Sequence, residues 1–187
     1  MNQHPRRLSL ALLLVLASIG ASAQQPAADL PPQQVSASPG DPSWQPTDEQ
    51  ARRLLKQTND FLSAQDEKRF ADAYAYFSPS QKQTVPFDGW QTSLLGFYGK
   101  AGAFEGRTIK KITWYKNPPN EKPGIYAAAD FAAQYQNLTL HCGYVAWHRQ
   151  MDGSFEVVHE ESNTIDKAVA ARMTPEMMRS ARAAFKC

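Results

Sequence analysis

Residues 124–165 read GIYAAADFAAQYQNLTLHCGYVAWHRQMDGSFEVVHEESNTI, and the fold turns on how this stretch pairs with itself. Three runs rich in β-branched, aromatic and alternating apolar residues are separated by short polar turns, the pattern of three antiparallel strands. Asp152-Gly153 is the stronger turn, because Asp and Gly accept the positive φ that a two-residue hairpin demands. Setting Met151 against Ser154 puts Arg149 against Glu156, His148 against Val157, Trp147 against Val158, Ala146 against His159 and Tyr144 against Glu161. Arg149 and Glu156 would then be an opposite-charge cross-strand pair. A second tight turn at Gln136-Asn137 sets Tyr135 against Leu138, Ala133 against Leu140, Phe131 against Cys142 and Ala129 against Tyr144.

Side chains alternate between the faces of a sheet, so these registers sort the residues into two sets. Ile125, Ala127, Ala129, Phe131, Ala133, Tyr135, Leu138, Leu140, Cys142, Tyr144, Ala146, Phe155 and Val157 form the expected buried face, with His148, His159 and Glu161 toward one end. Tyr126, Asp130, Gln134, Thr139, His141, Trp147, Arg149, Glu156 and Glu160 form the expected outer face.

Outward from the strands, helix signals crowd the first half. Thr47-Asp48-Glu49-Gln50 is a capping box, and Ala51, Leu54, Leu55, Thr58, Phe61 and Leu62 follow at helical spacing to about Ala64. Asp66 is placed to cap a shorter helix with Phe70, Ala73, Tyr74 and Phe77 on one face. Ser78-Pro79 starts another turn, and a helix from Pro86 to Tyr98 ends at Gly99 and Gly102. Arg107–Lys116 reads as the first strand of the sheet, with a bulge at Lys110-Lys111. Thr174-Pro175-Glu176 opens a last helix carrying Met177, Met178, Ala181, Ala184 and Phe185. The expectation is one α+β domain over residues 47–187: N-terminal helices on a curved antiparallel sheet of about four strands, plus a C-terminal helix.

The first residues carry an address. Arg6-Arg7, an apolar run from Leu8 to Ile19 and Ala21-Ser22-Ala23 are the three parts of a secretory signal peptide, with cleavage after Ala23. The run is too short for an ordinary bilayer span, so a periplasmic or secreted chain with no membrane span after cleavage is expected. Residues 24–46, rich in Pro, Gln, Ala and Ser, read as an unstructured tether. Without Arg6 and Arg7 the basic and acidic side chains balance at 18 each, which leaves no nucleic-acid footprint. Cys142 and Cys187, the two cysteines, are expected to pair in an oxidising compartment, closing a loop worth at most ~4 kcal/mol. The alternative is a buried thiol and a frayed terminal one.

The segments SPSQKQTVPFDGW (78–90) and GRTIKKITWYKNPPNEKPGIYAAADFAAQYQN (106–137), with Trp90, Arg107, Pro118, Gly124, Tyr126, Asp130 and Phe131, carry a resemblance. Over about Thr47 to Glu161 the chain resembles an exported bacterial family, the domain of unknown function numbered four-zero-one-nine. That family is similar to the cone-shaped superfamily of nuclear transport factor two, ketosteroid isomerase and the polyketide cyclases. The chain departs where the family closes its last strand on Gly-Tyr and this one has Glu161-Ser162. The resemblance implies a fold and brings no activity.

Metal, nucleophile-elbow and phosphate-loop signatures are missing from the sequence, and neither metal nor cofactor is expected. Two functional classes stay open. An enzyme of isomerase or cyclase type would use a pocket between sheet and helices, lined by Ala127, Ala129, Phe131, Tyr144 and His148, for a small apolar ligand. Its catalytic candidates are Tyr144 as hydrogen-bond donor and His159 or Glu161 as base. A binding or accessory module of the cell envelope would use Tyr126, Trp147 and Val158 on the outer face, for a second copy or an envelope protein.

Overall fold

A computed structural model describes residues 29–37 and 39–187; the signal segment lies outside the described residues. The capping box at Thr47 forms as expected: Gln50 N–H donates to Thr47 Oγ1, and Thr47 N–H donates to Gln50 Oε1. Helix α1 runs Asp48–Asp66 and buries Ala51, Leu54, Thr58, Phe61 and Leu62. Helices α2 (Phe70–Ala75), α3 (Pro79–Thr84) and α4 (Phe87–Ala101) follow, α3 capped by Ser78 and α4 ended by Gly102 at φ +78°. Asp66 does not cap α2 as expected; it closes α1 and turns inward to Arg107.

The sheet is mixed and has five strands in the order β1 (Gln33–Ala37), β2 (Phe104–Lys116), β3 (Ile125–Tyr135), β4 (Leu138–Arg149) and β5 (Phe155–Asp166). β2 to β5 pair antiparallel, and β1 lies parallel to β2. β1 falls inside the stretch expected to be unstructured. It is held by more than composition shows: Val35 pairs with Trp114, and Trp114 Nε1 donates to Gln33 Oε1 at 2.9 Å. The bulge in β2 is where the slipped alternation put it, between Ile109 and Lys111. Beyond β5, Ser78 N–H donates to Val157 O and Val157 N–H to Tyr76 O, so the chain before α3 adds a short rung to the edge.

The expected registers hold only in part. Between β4 and β5, Ala146 faces His159 and Tyr144 faces Glu161, as expected. Nearer the turn the pairing shifts: Trp147 faces Val157, His148 faces Glu156 and Arg149 faces Phe155, leaving Val158 as a bulge. The turn is a wider loop, closed by Gln150 N–H to Ser154 O, with Gly153 at φ +84° and an Asp152 carboxylate accepting from Ser154 N–H. Between β3 and β4, Ala132 faces Cys142, Ala129 faces Val145 and Ala127 faces Trp147. The two-residue turn at Gln136-Asn137 is present, but β4 takes up one extra residue after it, and a one-residue slip reverses the faces of a strand.

The consequence is a correction. Val145 and Trp147 point at the helices, fully buried, whereas Cys142, Tyr144, Ala146 and His148 point away. Ala127, Ala129 and Phe131 keep their expected place under the helices. Trp147 packs against Phe61 at 5.8 Å and Tyr76 at 6.0 Å between ring centroids. Burying one Trp of 150–250 Å² is worth about 4–6 kcal/mol as an upper bound, more than a local bulge costs. The apolar payload therefore outweighs the regular ladder. Phe61, Phe77, Trp90, Trp114, Trp147 and Phe155 fill the space between sheet and helices where a pocket was one reading.

After β5, α5 (Lys167–Ala170) and α6 (Pro175–Ala184) complete the chain. The Cys142–Cys187 disulfide is formed, on the face opposite α1 to α4. Leu140, Cys142 and Ile165 are buried on that side.

Candidate functional site

The registers place the outward side chains in rows that cross the strands. Tyr115, Tyr126, His148 and Glu156 make the first row. Thr113, Ala128, Ala146 and His159 make the second, with the bulged Val158 beside it. Lys111, Asp130, Tyr144 and Glu161 make the third. On β2 to β4 a row of small side chains, Thr113, Ala128 and Ala146, thus lies between two rows of large ones. Four strands at their usual spacing give a trough about 15 Å long between ridges about 14 Å apart. The Pro118–Lys122 loop and the Ser78–Ser80 start of α3 border an open space of about 940 Å³ over Tyr115, Tyr126, Ala128, Ala146, Tyr144, His148 and His159; Lys111, Thr113, Asp130 and Glu161 lie beyond it.

The ridges differ in chemistry. On one, Tyr126 and His148 stack with centroids 4.3 Å apart and planes at 16°. Tyr126 Oη donates to Lys122 O at 3.0 Å, which ties the ring to the loop. Gly124 lies under this stack, where a Cβ would come within 2.5 Å of His148 Nε2. Burial pushes the Tyr126 hydroxyl up and the His148 imidazole down, so His148 is neutral at neutral pH. On the other ridge Lys111 pairs with Asp130 at 3.2 Å, and Tyr144 Oη donates to Glu161 Oε2 at 3.3 Å. Burial, then the Glu161 charge, raises the Tyr144 hydroxyl. His159 Nε2 lies 3.8 Å from the same carboxylate, both side chains about half exposed.

Tyr144, His159 and Glu161 are therefore together, as expected, but on an open face and not under the helices. Tyr144 and His148 part from Ala127, Ala129 and Phe131, which lie across the sheet from them. Of the expected outer patch, Tyr126 and Val158 line the trough and Trp147 is core. Sequence reasoning missed Tyr115, Ala128 and the α3 start as one site. Only the alternation of Tyr115 with Trp114 hinted at it, and Ala127-Ala128-Ala129 reads the same in either register.

A second polar group lies inside the domain. Arg107 makes a two-pronged ion pair with Asp66 at 2.7 and 3.0 Å, both side chains nearly buried. Tyr135 and Tyr98 donate to the same carboxylate at 2.6 and 3.2 Å, and burial raises both hydroxyls. Burial, helped by Arg107, pushes His141 down to about 4. Every oxygen of Asp66 is engaged within the domain, so this group is a structural tie rather than a reactive centre.

With the geometry in place, comparison with known families gives one result. A family model described as a protein of unknown function, DUF4019, matches residues 57–159, from within α1 to His159 on β5. The chain belongs to the DUF4019 family. No curated protein matches the sequence. The DUF4019 match covers Tyr115, Tyr126, Ala128, Tyr144, Ala146, His148 and His159, so the trough is built almost wholly from the family's segment. β1, Glu161, α6 and Cys187 lie outside it. No helix among the described residues is long and apolar enough to cross a membrane.

Proposed function

We propose that this DUF4019 protein is a binding domain that seats an elongated, uncharged, hydroxyl-rich ligand, a short glycan chain, across the outer face of its sheet. The observation that carries this reading is the row of Thr113, Ala128, Ala146 and His159 between an aromatic ridge and a hydroxyl-carboxylate ridge. Tyr126 and neutral His148 offer ring faces to the apolar side of a sugar. Tyr144, Glu161 and Gln150 offer donors and acceptors to its hydroxyls. The leader-like first residues support export, and the proposed likeness to the cone-fold superfamily rests on helices packed against one face of the antiparallel strands β2 to β5. In this reading the domain works in the cell envelope as an accessory module.

Titration calorimetry with a tetramer of N-acetylglucosamine tests it. Saturable binding is expected, lost in Ala128→Trp, which fills the floor, and weakened in Tyr126→Ala. Absence of binding by the native chain, or binding unaffected by Ala128→Trp, refutes the trough as the site.

The enzyme reading has one observation behind it, the convergence of Tyr144, His159 and Glu161. Water reaches both His159 and Glu161, so the cluster lacks the exclusion that tunes a general base. Ligand recovered unchanged after prolonged incubation separates a binder from an enzyme.

A further inference from the structure

The register that carries Trp147 into the core carries Arg149 in after it. Arg149 stands against Phe155, on the side of α1, and not opposite Glu156. Its Nε–H is buried with no acceptor, and among the described residues no carboxylate lies within ion-pair distance of it. Arg53 reaches the same place from α1, with Nη1 3.3 Å from Asp152 O and Nη2 only 3.5 Å from the exposed Glu49. Gly153 is what lets them meet: a Cβ there would stand 2.8 Å from Arg53 Nη1 and 3.4 Å from Arg149 Nη2. Both guanidiniums thus crowd the Gly153 backbone, at the mouth of a cleft of about 340 Å³ between α1 and the 150–154 turn that Glu49 and Asp152 also line.

Like charges brought this close repel, and a buried donor without an acceptor adds to the cost. An anion at the mouth of the cleft relieves the repulsion. The first amides of α1 are not part of the argument, since the Thr47 capping box already uses them. Asp152 is occupied as well, its carboxylate accepting from Ser154 N–H and Oγ–H at 2.9 and 2.6 Å. We propose that Arg53 and Arg149 form a receptor for a single oxyanion group, a carboxylate or a phosphate, which bridges the Nη groups of the two guanidiniums. The planar fork of each guanidinium suits two oxygens of one such group. The cleft lies on the helix side of the sheet, away from the trough, so it serves a separate ligand or a separate part of one.

Arginine side-chain NMR of the full chain decides it, with inorganic phosphate or acetate titrated against sodium chloride at constant ionic strength. The Arg149 Nε–H resonance is expected to move saturably. Arg53→Gln, at a partly exposed site that leaves the core intact, weakens the apparent affinity about tenfold, the loss of one charge-assisted contact. Arg182→Gln on α6 leaves it unchanged. Saturation with acetate alone assigns a carboxylate ligand, and with phosphate alone a phosphate. A shift that merely tracks salt, or one that Arg53→Gln does not alter, overturns the site and leaves a hydrated arginine pair.

Discussion

Glu160 lies on β5 with its carboxyl turned in toward the helices. Gln65 Nε2 donates to it at 2.9 Å and Trp90 Nε1 approaches at 3.4 Å. Burial outweighs those two donors and raises its pKa. A carboxyl whose folded pKa is raised contributes stability below its unfolded pKa, and that contribution is lost as pH rises through the folded value. Glu160→Gln is therefore expected to be at least as stable as the native chain at pH 8, with the advantage shrinking toward pH 4. Urea midpoints across that range read it, and a variant weaker at pH 8 by a gap that pH does not change contradicts it. His141 works in the opposite sense: with its pKa at about 4, its contribution is present above the ordinary imidazole range and lost on acidification. Neither residue was legible as facing the helices. Glu160 follows His159 in a run of polar residues, and only the pairing of Val145 with Glu160 turns it inward.

At the scale of elements, α6 depends on its staple. Ten residues make a marginal helix alone, and no α6 side chain is buried. Cys187 joins it to Cys142, which lies beside Phe185 O at 3.9 Å. Cys187→Ser is expected to cost up to ~4 kcal/mol and to release α6. Circular dichroism would lose helix signal in the far-UV while the near-UV signal of the tryptophan core stays, because α6 lies across the sheet from that core. A variant with unchanged helix content would show that packing alone holds α6. The helices were the legible elements: the Thr47 box, Ser78-Pro79 and Thr174-Pro175 all start helices where the sequence places them. β1 was not legible, since QQVSA has one strong strand former and gains its order from the Trp114 edge.

For the molecule as a whole, the sheet has one dry face and one working face, and adjacent residues test which is which. Ala127 packs under the helices beside Trp147, while Ala128 lies in the trough floor. Ala127→Trp should abolish cooperative folding, since overpacking a filled core costs ~1–3 kcal/mol even for small insertions. Ala128→Trp should leave the Tm nearly unchanged; the reverse outcome would restore the register expected from the turns. The Thr47 capping box, the strand runs of β2 to β5, the disulfide partners and the α+β plan were determined by the sequence by itself, because each depends on near neighbours or on composition. Which face of β4 is buried was decided only in three dimensions. Alternation is blind to a one-residue slip, and two bulges settle the matter by putting Trp147 inside. Tyr144, His148 and Arg149 then fall where the helices and the solvent leave room for them.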